Sequence, residues 1–251
     1  MHLRLFTTAR ALARTLSVRI VRDLQANPRL VLGLPTGRTP IPLYEELVAL
    51  HRRGKADFSD ATTFNLDEFV GIAPGDPGSY LTFMRRRFFD QVNLSPWRHH
   101  LLNGMARNIE RECARYERAI ARAGGIDIQI LGLGRNGHIG FNEPGDGLIA
   151  RTHLAKLTLA TRRANAPLFG RNVRKVPREA LSVGIGTILE ARRIVLIATG
   201  TSKARAVERM ISGLVTPAVP ASFLQLHPDV EIWLDVAAAS RVRKQPTTAR
   251  S

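Results

Sequence analysis

A single cysteine, Cys113, leaves no partner for an internal disulfide and no multi-cysteine zinc site in a chain of 251 residues. It falls in a charged helical pattern and reads as a packed thiol rather than a nucleophile. No uninterrupted apolar run approaches membrane-spanning length, and the N-terminus has no long apolar core followed by a small-residue cleavage site. The expectation is therefore a cytoplasmic protein with no membrane partner. Acidic side chains are few beside basic ones, 21 Asp and Glu against 37 Lys and Arg, giving a formal net charge of +16. Such a balance suits nucleic acid, an anionic membrane or a phosphorylated metabolite. The arginines are scattered from Arg4 to Arg250, however, in groups such as Arg85-Arg86-Arg87, and no aromatic residues are interleaved with them as in a nucleic-acid recognition module. They read as solvated faces, so no nucleic-acid partner is expected. Solenoid repeats and low-complexity segments are also missing.

What is present is enough apolar residue, 44% of the chain, to bury a large core. We expect one domain over residues 1–240, followed by a basic, frayed tail over 241–251. Helices are expected over residues 7–25, 40–52, 79–90, 108–123 and 204–211 from apolar positions at helical spacing. Buried strands are expected over 29–34, 61–66, 126–131, 154–159, 181–185, 192–198 and 230–235. The alternation of the two defines an α/β fold, a Rossmann-like open and mainly parallel sheet with helices on both faces.

Chemistry-bearing residues cluster at the ends of those strands. The glycine-rich stretch 132–145, GLGRNGHIGFNEPG, follows a strand and carries Asn136, His138 and Glu143. An imidazole held by one polar neighbour can exchange a proton with a substrate. A glycine-rich turn with a hydrogen-bonded histidine would look the same in isolation, so the other clusters matter. The strand at 61–66 ends at Asp67-Glu68, where alternation lets only one carboxylate face a given cleft; either could instead cap the next turn. At Pro35-Thr36-Gly37-Arg38-Thr39-Pro40, Thr39 is expected to cap a helix whose first turn holds Pro40, leaving free amides for an anion. The segment Thr199-Gly200-Thr201-Ser202-Lys203 repeats that strand, turn and helix-start plan, with a lysine added. Arg162-Arg163 lies just beyond another strand, and the planar guanidinium fork suits phosphate.

Taken together, LGLPTGRTPIPLY (32–44), TFNLDEFVGI (63–72), SYLTFMRRRFFD (79–90), LLNG (101–104), GRNGHIGFNEPG (134–145), TRRAN (161–165), VPREALSVGIGTILEA (176–191) and LQLHP (224–228) resemble the glucosamine-6-phosphate deaminase family over nearly the whole chain. The resemblance implies conversion of glucosamine 6-phosphate and water to fructose 6-phosphate and ammonia, with no metal and no organic cofactor. It implies Asp67 as the base moving the C2 proton to C1, and His138 as the ring-opening acid/base, assisted by Glu143 and Asn136. It places Thr36, Gly37, Arg38, Thr39, Arg162 and Lys203 around the sugar phosphate. Part of the family has Asp where Asn136 stands. The hexameric branch activated by N-acetylglucosamine 6-phosphate has a serine and an Arg-x-Lys pair where Asp146, His153 and Ala155 stand here, so that activation is not expected. A galactosamine-6-phosphate deaminase, a 6-phosphogluconolactonase and a sugar-phosphate-sensing regulatory domain are the alternatives. A phosphorylated amino sugar is the expected small-molecule partner, and both monomer and homo-oligomer stay open.

Overall fold

The computed structural model describes residues 1–242, so the expected tail lies, from residue 243 on, outside the described residues. The chain runs β1 (His2–Phe6), α1 (Ala9–Ala26), β2 (Val31–Leu34), α2 (Ile41–Arg52), β3 (Thr62–Asn65), β4 (Asp67–Phe69) and α3 (Tyr80–Arg87). It continues β5 (His99–His100), α4 (Ile109–Arg122), β6 (Ile128–Gly132), β7 (His153–Lys156), α5 (Leu159–Asn165), β8 (Glu179–Ser182), α6 (Ile185–Leu189), β9 (Arg193–Ala198), α7 (Ala204–Ser212) and β10 (Val230–Asp235).

Seven strands form one parallel sheet in the order β1-β10-β9-β6-β2-β3-β5. The near-continuous apolar character of β2, β6, β9 and β10 follows from coverage on both faces. Leu16, Ile20 and Leu24 of α1, Leu43 and Leu47 of α2 and Met84 of α3 bury one face. Tyr116 and Ile120 of α4, Ile185 and Ile188 of α6, and Val207 and Met210 of α7 bury the other. The expected α/β fold is thus the observed one.

The ends of the helices are set by local chemistry. Thr8 caps α1 by accepting the Ala11 amide at 3.1 Å, and Asn108 caps α4 by accepting that of Arg111 at 2.7 Å. At α2 the expected cap is displaced: Pro40, not Thr39, occupies the cap position, it makes no side-chain bond, and the proline of the first turn is Pro42. The Tyr44 amide bonds the Pro40 carbonyl, so the helix starts one residue later than the Thr-Pro pair suggested.

The strands depart from the expected plan in three ways. Residues 2–6 form an edge strand that the pattern did not reveal, because four of its five residues are exposed. The strand expected over 154–159 ends at Lys156, and Leu159 opens α5; that expected over 181–185 ends at Ser182, and Ile185 opens α6. The third departure matters most for chemistry. After Leu66 the chain leaves the parallel sheet, and Asp67 begins β4, which pairs antiparallel with β8 in a separate sheet of order β4-β8-β7. That small sheet has its own aromatic core of Phe69, Tyr80, Phe141 and Phe169.

The order in which strands are added to the large sheet reverses between β2 and β6: β2, β3 and β5 step one way, β6, β9 and β10 the other. Ligands of open α/β sheets sit beyond the carboxyl ends of strands at such a switch point. Here it brings together the loop after β2, residues 35–40, and the loop after β6, residues 133–145.

Candidate active site

The loop after β6 folds back on itself. The Gly134 amide donates to the His138 carbonyl at 2.8 Å, and the Asn142 amide to that of Ile139 at 3.1 Å. This closure lays the His138 imidazole across the α-carbon of Gly134, where an added Cβ would stand 2.5 Å from ring atoms. Glycine is therefore required there for the ring's position. His138 Nδ1 is buried, has no hydrogen-bond partner, and lies 3.6 Å from Glu143 Oε2. That separation is a charge contact rather than a hydrogen bond.

Asn136 does not touch the ring through its amide. Its Nδ2 donates to Glu143 Oε2 at 2.8 Å, and its Oδ1 accepts the backbone amide of His138 at 3.2 Å. The residue thus fixes Glu143 and the His138 backbone, a positioning task that the bare motif did not disclose. Burial alone would raise the Glu143 carboxyl, but His138, Thr161 and Asn136 outweigh it and hold its pKa down at about 2. Glu143 is an anion at any pH where an imidazole titrates.

Asp67 and Glu68 face different surroundings, as strand alternation requires. Glu68 accepts the amides of Phe69 at 2.9 Å, Tyr80 at 3.0 Å and Leu81 at 3.1 Å, so it closes the start of α3. Burial pushes it to about 7 against the pull of those three donors. Asp67 is also buried, yet its Oδ1 has no hydrogen-bond partner. Three buried tyrosines, 44, 80 and 116, feel its charge, but their hydroxyls point elsewhere: Tyr44 to the Pro35 carbonyl, Tyr80 to Asn165 Oδ1, and Tyr116 to the carbonyls of Asn65 and His100. One oxygen of the carboxyl is thus left unpaired in the interior. Burial, and secondarily Glu68, raises Asp67 to about 8. Its Oδ2 lies 3.8 Å from where a Cβ on Gly140 would stand, and Gly140, at φ +56, is two residues beyond His138. The Asp67 carboxyl therefore borders the loop that carries His138.

The phosphate-type residues separate into two groups. Thr36, Gly37, Arg38 and Thr39 lie in the turn after β2, with Gly37 at φ +94. Lys203, in the turn after β9, donates to the Leu133 carbonyl at the start of the β6 loop. Burial lowers its pKa to about 8, helped by the positive charges of Arg135 and Arg38, so both arginines are its neighbours. Arg135 was not singled out from the sequence, although it sits inside the GRNGH motif. Arg162 makes no hydrogen bond to this group. Its Nε and Nη2 donate to the carbonyls of Val173 and Val176 at 2.9–3.2 Å, and the guanidinium fastens α5 to the segment before β8.

Among the described residues no group of three or more His, Cys, Asp or Glu side chains could hold a metal ion, and no helix is long and apolar enough to cross a membrane. A surface groove of about 480 Å³ beside α1 is rich in arginine. Three of its four arginines, Arg4, Arg19 and Arg193, are already paired with Glu231, Asp23 or Asp229.

A buried carboxyl, a separate imidazole–carboxylate pair and cations on neighbouring loops at one sheet edge are the groups of an enzyme of the open α/β class. The chain belongs to the glucosamine-6-phosphate isomerases/6-phosphogluconolactonase family, whose model matches residues 6–233. It is 53% identical to a glucosamine-6-phosphate deaminase of Rhodopirellula baltica, over 90% of each chain. It is 48% identical to one of Halothermothrix orenii, over 92% of this chain and 95% of that one. A solved monomeric glucosamine-6-phosphate deaminase superposes with a TM-score of 0.93 at 43% identity, covering 96% of this chain and all of the other. A 6-phosphogluconolactonase of Trypanosoma brucei shares the fold, with a TM-score of 0.73 at 18% identity.

Proposed function

We infer that this protein is a glucosamine-6-phosphate deaminase, converting glucosamine 6-phosphate and water to fructose 6-phosphate and ammonia, with residues 1–240 acting as one catalytic unit. The observation that carries the assignment of roles is the unpartnered carboxyl of Asp67 beside the loop that holds His138 and Glu143.

The closed pyranose hides its carbonyl, so the first task is to move a proton from the anomeric hydroxyl to the ring oxygen. An imidazole does both near neutrality, and His138 takes that part. Glu143 stabilises the cationic ring in passing, and Asn136 holds Glu143 still. Asp67 then removes the proton from C2 and returns it to C1, which converts the amino aldehyde through an enolamine to a ketimine. Water adds to the ketimine and ammonia leaves, giving the ketose. Burial suits Asp67 to this step, because a carboxylate stripped of hydrogen bonds is a stronger base than one in water. Thr36, Gly37, Arg38, Thr39 and Lys203 hold the phosphate and so fix C1 and C2 between the two bases. Arg162 supports this site by fastening α5. Asp146, His153 and Ala155 support a reading without activation by N-acetylglucosamine 6-phosphate, for which the substrate curve is hyperbolic with or without that sugar.

An ammonia-release assay comparing glucosamine, galactosamine and N-acetylglucosamine 6-phosphates tests the reading, with acid release from 6-phosphogluconolactone measured in parallel. Turnover of glucosamine 6-phosphate, lost on Asp67→Asn and His138→Ala, is expected. Acid release without ammonia release would overturn it.

A further inference from the structure

Strands β9, β6 and β2 are consecutive neighbours in the parallel sheet, and each sends a loop over its carboxyl end. Every one of those loops carries a cation: Lys203 after β9, Arg135 after β6 and Arg38 after β2. The first two loops are joined directly by the bond from Lys203 to the Leu133 carbonyl. Neither Arg38 nor Arg135 makes a side-chain hydrogen bond or an ion pair among the described residues. Like charges brought to neighbouring loops repel one another, and beside burial, the larger cause, the charges of Arg135 and Arg38 help to lower the pKa of Lys203.

The geometry points to Arg135 as a phosphate-holding residue, completing with Arg38 and Lys203 a three-cation clamp that takes a phosphomonoester dianion over β2, β6 and β9. This rests on the deaminase reading for its substrate, and it assigns a role to a residue that neither the turns nor the helix starts indicate. A dianion offsets most of the repulsion, whereas a single carboxylate leaves two charges uncompensated. A guanidinium on the loop that also bears His138 has a second consequence: seating the phosphate fixes the position of the imidazole's own loop.

The test uses Arg135→Ala, Arg135→Lys and, as a control for net charge, Arg118→Ala on the exposed side of α4. Binding of inorganic phosphate is read from the shift in thermal midpoint, which needs no turnover, and KM and kcat for glucosamine 6-phosphate are read from ammonia release. Arg135→Ala is expected to weaken phosphate binding and raise KM about tenfold or more, with kcat changing less than KM. Arg135→Lys is expected to recover part of the loss, and Arg118→Ala to match the unmodified protein. Equal behaviour of Arg135→Ala and Arg118→Ala in phosphate binding would overturn the clamp. If the unmodified protein released no ammonia, the deaminase reading would fall, while the phosphate titration would still decide the role of Arg135.

Discussion

Replacing Asp67 by asparagine should cut turnover about 10³-fold and make the protein more stable. The carboxyl is pushed from an ordinary 3.8 to about 8 by burial, so the folded state holds its proton where the unfolded chain releases it. The sign follows from linkage: a raised carboxyl costs the fold stability as pH rises above the unfolded value, and the cost levels off above the folded value. Near pH 7 about three units separate the pH from the unfolded pKa, and at about 1.4 kcal/mol per unit the cost is about 4 kcal/mol. That figure scarcely depends on the folded value so long as it lies near or above 7, since the unfolded side sets it. Asparagine carries no such cost, but it brings an amide N–H₂ into a site with few acceptors, which takes back about 1 kcal/mol.

The net gain of about 3 kcal/mol corresponds to a rise in Tm of roughly 6–12 °C for a chain of this size near pH 7. Near pH 4 the gap should close, because Asp67 is then protonated in much of the unfolded chain as well. Scanning calorimetry of both proteins from pH 4 to 8 measures the gap, and ammonia release falls about 10³-fold in the variant. A gap that does not change with pH, or an unmodified protein more stable near pH 7, would mean that Asp67 is ionised and well solvated, and the argument for a strengthened base would fail.

The same titration predicts that kcat/KM rises with pH towards about 8 as Asp67 loses its proton, and falls above about 8 as Lys203 loses its own; a profile flat from pH 6 to 9 would contradict it. Gly134→Ala drives a methyl into the His138 ring, so kcat should drop at least about 100-fold with little change in Tm, which steady-state kinetics beside a thermal melt will show. Asn136→Asp sets a second carboxylate 2.8 Å from Glu143, raising that pair well above the present value of about 2. Its activity should nonetheless stay within about tenfold, since one shared proton relieves the repulsion; a loss as large as that of His138→Ala would refute this. Arg162→Ala removes bonds to two carbonyls, so it should lower stability by about 1–3 kcal/mol and affect phosphate binding less than Arg135→Ala does.

How much of this was legible in the chain depends on where the deciding force acts. Strand β10 and helices α1 and α4 could be read within a residue or two, because their periodicity records a buried face directly. Strand β1 could not, since an exposed edge strand buries little and leaves no such record. The cations followed the same division. Arg38 and Lys203 stood at turns whose form announced them, while Arg135 became a candidate only when strand order put three loops side by side. Arg162 adds a task that its residue type did not announce: its Nε and Nη2 bond the carbonyls of Val173 and Val176.

Asp67 and Glu68 make the point most sharply. Alternation along a strand establishes that the two carboxylates look opposite ways, but it is silent on which one meets the substrate. The proposal of Asp67 rests on what happens twelve residues further on, where the amides of Tyr80 and Leu81 at the start of α3 take Glu68 as their acceptor. With Glu68 so engaged, β4 can pair with β8 only with Asp67 turned toward Gly140, among tyrosines whose hydroxyls are held by other acceptors. The Ser79 cap takes only the Thr82 amide, so the first turn of α3 draws in Glu68 as well and leaves Asp67 as the carboxyl free for the proposed proton transfer.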